Sequence, residues 1–238
     1  MPASLFTSAG PKDRPYNTAG PQGPAPNFHF FLLTSYFILA FRLPSSAIVY
    51  LQLSAVLADL RSASRRLRTL RAAASPAVLT LRPAADRWSA AECVAHLNLT
   101  SQALLPLLRT GIEEARRLDG PISSRYRRDF FGWLIWKGLE TPGRFRTKTG
   151  AAFVPSGDQP IDTLVAEFER LQAEVTACTR DATDLPIDRV KIVSPFNVRL
   201  KYNLYSALTI LTAHQHRHLW QAEQAVLSGP TATAARQA

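Results

Sequence analysis

The sequence predicts an all-α protein built on a four-helix bundle, and two observations lead to that prediction. Between Leu51 and Leu227, apolar side chains recur at steps of three and four residues, as on one face of an α-helix. No stretch shows the alternation of apolar and polar residues that is typical of a half-buried strand. We therefore expect four long helices that bury their apolar faces against one another in a bundle over residues 51–228.

Residues 1–50 are expected to be a disordered or loosely attached extension. Residues 1–27 are rich in Pro, Gly, Ala, Ser and Asn, and the prolines and glycines among them do not support a helix or a strand ladder. The apolar run Phe28–Phe41 is shorter than the about 20 residues that span a membrane. No basic region stands directly before it, as it would in a signal peptide. A peripheral extension is therefore favoured over an inserted anchor or a cleaved signal, and a membrane location is not expected.

The first bundle helix starts at Leu51, and leucines from Leu53 to Leu70 form its apolar stripe. Arginines cover its other faces, which indicates either a solvated surface or a strip that contacts nucleic acid. The second helix opens with Ser89 followed by Glu92, the pattern of a capping box, and it extends to about Leu118.

An irregular connection over residues 121–150, rich in aromatic and basic residues, is predicted between helices two and three. The third helix is expected over 161–178 and the fourth over 198–227, where Gly229-Pro230 ends it. Residues 229–238 are expected to be a flexible tail.

The charge of the chain does not by itself identify a partner. Its 28 Lys and Arg exceed its 18 Asp and Glu by +10, which raises the question of nucleic acid or of acidic ligands. The basic connection 121–150 is followed by an acidic window over 157–188, and such windows usually complement each other on a folded surface. We therefore expect no specific nucleic-acid partner. Cys93 and Cys178 exclude a disulfide scaffold and are expected to be buried free thiols.

Two of the 5 histidines are spaced for metal binding. His214 and His218 in the segment HQHRH lie about one helical turn apart on one face, where both rings can reach one ion. His216 lies about 200° around the helix and should point elsewhere. Gln215 stands where the general-base Glu of the metalloprotease motif HExxH would be, so this is not that motif.

A third histidine, His96, becomes a candidate ligand because two stretches of the sequence resemble a known family. The stretches WSAAECVAHL (Trp88–Leu97) and LTAHQHRHLWQ (Leu211–Gln221) resemble the DinB-like, or damage-inducible-protein-B-like, superfamily of four-helix bundles. The resemblance implies that His96, His214 and His218 bind a divalent metal ion such as zinc, nickel, iron or manganese. Glu92 could support His96 from the same helix face, but its role in the capping box is favoured.

The resemblance implies a metal-dependent enzyme, either a hydrolase or a transferase of a low-molecular-weight thiol. Three imidazoles and one open position are the arrangement of a catalytic site. The substrate would be a small molecule, anionic or thiol-containing, attracted by the basic connection. The alternatives are a non-catalytic metal-binding or stress-associated bundle and a basic nucleic-acid binder. A cytoplasmic location is expected, and a homodimer is left open.

Overall fold

A computed structural model of the chain describes residues 45–140, 149–156 and 159–228. Helices dominate these residues, so the predicted all-α class is confirmed. The helices are α1 (Ser45–Ala73), α2 (Pro76–Thr80), α3 (Ala90–Arg116), α4 (Phe130–Glu140), α5 (Ile161–Asp181) and α6 (Leu204–Leu227), with a 3₁₀ turn at Ala151–Phe153 and two strands, β1 (Lys191–Ser194) and β2 (Asn197–Asn203).

The predictions for residues 1–44, which include the apolar run Phe28–Phe41, and for the tail 229–238 lie outside the described residues. Among the helices that the structure describes, none is long and apolar enough to cross a membrane.

The four long helices form the framework of the fold. Helix α3 packs against α5 and α6, and α1 packs against the same two helices. Their facing side chains form two groups of buried apolar residues, one including Leu60, Leu108, Val175 and Leu208 and the other including Leu67, Leu97, Phe168 and Leu219. Each fully buried side chain of this size stabilises the fold by about 1.5–3 kcal/mol relative to an exposed one. Cys93 and Cys178 are buried free thiols, as predicted.

The structure corrects the sequence-based boundaries at three places. Helix α1 begins at Ser45, ahead of the predicted start at Leu51, and Val49 belongs to the core. The predicted irregular connection 121–150 contains helix α4. The last helix begins at Leu204 rather than near Val198, because β1 and β2 form an antiparallel hairpin with a register shift after Val193.

Asn203 sets the start of α6 and joins it to its surroundings. Its side-chain oxygen accepts a hydrogen bond from the Ser206 N–H at 2.8 Å, which satisfies one of the unpaired donors at the helix start. Its amide nitrogen donates to the backbone oxygens of Arg127 at 2.8 Å and Asp188 at 3.1 Å. The α6 start is therefore bonded to the segment before α4 and to the loop before β1.

Helix α4 lies close to the start of α6 because it carries a glycine at the contact. A Cβ atom added at Gly132 would lie 2.1 Å from Oγ and 2.3 Å from Cβ of Ser206. The Gly132 N–H donates to Oδ1 of Asp129 at 3.0 Å, and the Asn203 N–H donates to the other oxygen of that carboxylate at 3.1 Å. One carboxylate thus connects the two helix starts.

The arginines of α1 are partly matched by acids of neighbouring helices. Arg68 pairs with Glu169 at 2.8 Å and Arg71 with Asp162 at 2.7 Å, both on α5. Such exposed pairs contribute about 0–1 kcal/mol each. They show that the basic face of α1 and the acidic face of α5 complement each other on the surface, whereas the sequence had suggested the connection 121–150 as the basic partner of the acidic window.

The Gly132 contact predicts opposite effects for two alanine substitutions in α4. Gly132→Ala should destabilise the protein by about 1–3 kcal/mol, because the new methyl group overlaps Ser206 and forces α4 away from α6. Gly138→Ala is the matched control: an added Cβ meets no atom of the described residues within 4 Å, so it should be neutral or raise stability by up to about 1 kcal/mol. Urea unfolding of both variants tests this, and equal effects would contradict the close approach.

Candidate metal centre

The capping box predicted at Ser89 fixes the start of the helix that carries His96. Ser89 Oγ accepts from the Glu92 N–H at 3.1 Å, and the Glu92 carboxylate accepts from the Ser89 N–H at 2.8 Å. Arg82 also donates to this carboxylate. Burial alone would raise the pKa of Glu92, but the hydrogen bonds from Arg82 and Ser89 outweigh it and lower that pKa. The capping interpretation is confirmed, since Glu92 is bonded to these groups.

The three histidines from two helices meet at one place. One ring nitrogen of each of His96, His214 and His218 lies within 4.8 Å of the others. The ring centroids of His96 and His214 are 5.1 Å apart, and His218 lies 4.4 Å from both. The sequence spacing placed His214 and His218 on one face, and α3 brings His96 to them. A group of this kind can hold one metal ion.

The ring of His96 directs its Nε2 lone pair into the cluster. Its Nδ1 lies 2.7 Å from the backbone oxygen of Phe153. A carbonyl oxygen only accepts, so Nδ1 carries the proton and the neutral ring keeps a lone pair on Nε2. That Nε2 lies 3.3 Å from Nε2 of His214. Two nitrogens bound to one tetrahedral zinc ion at ~2.0–2.1 Å are about 3.4 Å apart, so this pair fits a shared ion.

The remaining rings are also in the form that metal binding needs. Burial is the main cause that lowers the pKa of His214, and electrostatic interaction with His96 and Arg217 lowers it further. Burial also lowers the pKa of His218 well below its ordinary value. Electrostatic interaction with His214, His96 and Arg217 adds to this shift. Neutral imidazole is the ligand form. Nδ1 of His218 is buried, and no described residue makes a hydrogen bond of ordinary geometry to it, although the Gln221 side chain is near enough to raise the pKa of His218 slightly. A bound ion would offset the cost of this unpaired nitrogen if it took it.

Two of the other three residues of the HQHRH segment, Gln215 and His216, face away from this cluster. Nδ1 of His216 lies 3.0 Å from Nη1 of Arg66, on the opposite side of α6. Gln215 is buried in the core and donates to Oε1 of Gln172 at 2.6 Å. The expectation that His216 points elsewhere agrees with this geometry.

Three aromatic residues surround the histidines, and sequence reasoning did not identify them as part of the site. The Trp88 ring lies 5.0 Å from the ring of His96 and 6.1 Å from that of His218. The Phe196 ring, from the turn of the hairpin, lies 6.0 Å from that of His214 and 4.7 Å from that of Phe153. In the sequence, only Trp88 could have been linked to the site, because it opens the stretch that contains His96. The cluster is therefore polar at its centre and apolar at its sides.

The comparison with known families decides the relationship that the two motifs suggested. The family model of the DinB superfamily matches residues 59–222, which include both histidine motifs. The chain belongs to the DinB superfamily. No curated protein and no solved structure matches it. The matched range contains α3 and most of α6, and it includes His96, His214 and His218.

The geometry predicts that three alanine substitutions weaken metal binding and a fourth does not. His96→Ala, His214→Ala and His218→Ala each remove one nitrogen from the cluster and should lower the affinity for a divalent ion by about 100-fold or more. His216→Ala is the control and should bind normally. Competition with a chromogenic chelator measures all four affinities, and equal retention would show that the cluster is not a metal site.

The lowered pKa values predict how metal affinity depends on pH. Since burial keeps His96, His214 and His218 neutral, protons should compete with the ion only below the ordinary imidazole value of about 6.5. Apparent affinity should therefore stay constant from about pH 8 through about 6.5 and fall only at a pH well below that value. Isothermal titration from about pH 8 downward tests it. A decline that already begins at or above about pH 6.5 would mean that the pKa values of these rings are not lowered.

Proposed function

We propose that the protein is a metal-dependent enzyme that binds one divalent ion through His96, His214 and His218 and acts as a low-molecular-weight thiol transferase or as a hydrolase. The observation that supports this is the convergence of three neutral imidazoles within 4.8 Å. Three protein ligands leave a fourth position for substrate or water. When bound, the ion would lower the pKa of a water or thiol at that position.

The protein's own residues then have defined roles. Neutral nitrogen ligands leave the positive charge of an ion uncancelled, which favours an anion at the open position. The Phe153 carbonyl holds the His96 ring in the tautomer whose Nε2 can bind. The rings of Trp88 and Phe196 offer apolar surface to the body of a substrate.

A positive charge beside the cluster supports an anionic substrate. The guanidinium of Arg217 is near enough to contribute to the lowered pKa of both His214 and His218. One of its nitrogens donates to the backbone oxygen of Gly138 at 3.2 Å, which joins it to α4. An anionic or deprotonated thiol substrate would be attracted to such a position.

The donor set favours some ions over others. Imidazole nitrogen suits zinc, nickel and iron, whereas manganese prefers oxygen ligands. We therefore propose zinc, nickel or iron as the resident ion, with manganese as the weaker candidate.

Turnover with each ion tests the proposed function. Protein loaded with zinc, nickel, iron or manganese is assayed with small thiols and an aryl halide for transfer, and with p-nitrophenyl acetate for hydrolysis. We expect metal-dependent turnover in one assay, reduced about 100-fold or more by His96→Ala and His214→Ala and unchanged in His216→Ala. Tight metal binding without turnover in either assay would instead support a non-catalytic metal-binding bundle, the alternative suggested by the sequence.

A further inference from the structure

A second concave site lies on the other side of α6. A cavity of about 410 Å³ opens between α1, α4 and α6. This volume lies within the about 300–1,000 Å³ of small-molecule sites and near their lower end. On α6 it is lined by residues that include Thr209, Ala213, His216 and Trp220. Since α-helix residues turn by about 100° each, this face is opposite to the one that carries His214 and His218.

Arg128 is the polar side chain that gives this cavity its chemistry. Its Nε donates to Oγ1 of the buried Thr209 at 2.9 Å. Its guanidinium carbon Cζ lies over the Trp136 ring, 3.8 Å from the ring centroid. These two contacts fix its orientation. Within residues 45–140, 149–156 and 159–228, its two terminal nitrogens have no hydrogen-bond partner, so they can bind a planar anion through two parallel bonds.

The other charges that line the cavity have partners or are exposed to solvent. Arg66 forms an ion pair with Glu223 at 2.8 Å. The Glu140 carboxylate acts electrostatically on Arg128 but is not hydrogen-bonded to it; it accepts a hydrogen bond from Lys137 at 2.9 Å. Asp59 is exposed. Arg217 has its bond to Gly138 described above. A ligand that neutralises Arg128 therefore needs one negative charge, which suits a carboxylate better than a doubly charged phosphate.

The walls of the cavity suit an aromatic body. Trp136, Tyr205 and Trp220 contribute ring surface to it. The Tyr205 hydroxyl accepts a hydrogen bond from Nε2 of Gln52 at 3.1 Å, which leaves its own proton for an acceptor in the cavity. The terminal nitrogens of Arg128 and the Tyr205 hydroxyl thus offer hydrogen-bond donors among three aromatic rings.

We propose that this cavity binds a small aromatic carboxylate, with the carboxylate on Arg128 and the ring against Trp136 and Trp220. The site is separate from the metal centre, and its occupancy does not require the proposed catalytic activity. The cavity would give the protein a second small-molecule site whose ligand is a monoanion.

Binding of benzoate tests this proposal, with benzamide as the neutral analogue of the same shape and phenyl phosphate as the dianion. Because carboxylates also bind metal ions, titrations are done on the whole protein with chelator and repeated on His214→Ala. We expect benzoate to bind both the chelator-treated protein and His214→Ala. Benzamide and phenyl phosphate should bind at least about tenfold more weakly than benzoate. Absence of benzoate binding, equal binding of benzamide or phenyl phosphate, or loss of benzoate binding in His214→Ala would overturn the proposal.

Two variants locate the ligand. Arg128→Met keeps an apolar stem against Trp136 and should lower benzoate affinity about tenfold or more, whereas Arg127→Met, at the exposed neighbouring residue, should not change it. Ala213→Leu fills the cavity without altering charge and should also weaken binding, which keeps the test valid if Arg128→Met does not fold. Metal affinity should stay unchanged in Ala213→Leu. Equal benzoate binding in Arg127→Met and Arg128→Met, or normal binding in Ala213→Leu, would refute the site.

Discussion

The rotation of α6 about its own axis is the constraint on which both sites depend, and a buried chain of amides sets it. Gln215 is fully buried and donates to Gln172 of α5 at 2.6 Å, and Gln172 donates to the backbone oxygen of Leu60 in α1 at 3.0 Å. Buried amides lose free energy when they are unpaired, so this arrangement resists rotation of the helix. With Gln215 directed inward, His214 and His218 lie toward α3 and His216 lies toward the cavity.

The partners of α6 on its two sides are held in place by local interactions of different kinds. On one side, the capping box at Ser89 sets the start of α3, and the Phe153 carbonyl orients the ring of His96. On the other side, Gly132 lets α4 approach Ser206 closely, and this approach brings Trp136 and Arg128 over the cavity. The proposed metal site and the proposed carboxylate site therefore share one helix, but each has its own neighbouring helices.

The sequence predicted features that arise from nearby residues. The spacing of His214 and His218, the direction of His216 away from that pair, and the capping box of Ser89 and Glu92 all follow from helix periodicity and end chemistry. The hairpin before α6 was missed because its strands are short and its register shifts at Val193. Phe153 and Phe196 reach the histidines from a 3₁₀ turn and a hairpin turn, and no periodic pattern marks such positions. Tertiary packing alone brings them to the site.

The most direct test of the central claim is an anomalous difference map of a metal-loaded crystal, recorded at the absorption edge of the added ion. If the three histidines hold the ion, the map shows one strong peak about 2.0–2.2 Å from a ring nitrogen of each of His96, His214 and His218. A peak placed on His216 instead, or full loading of the protein with no peak among these three rings, would contradict it.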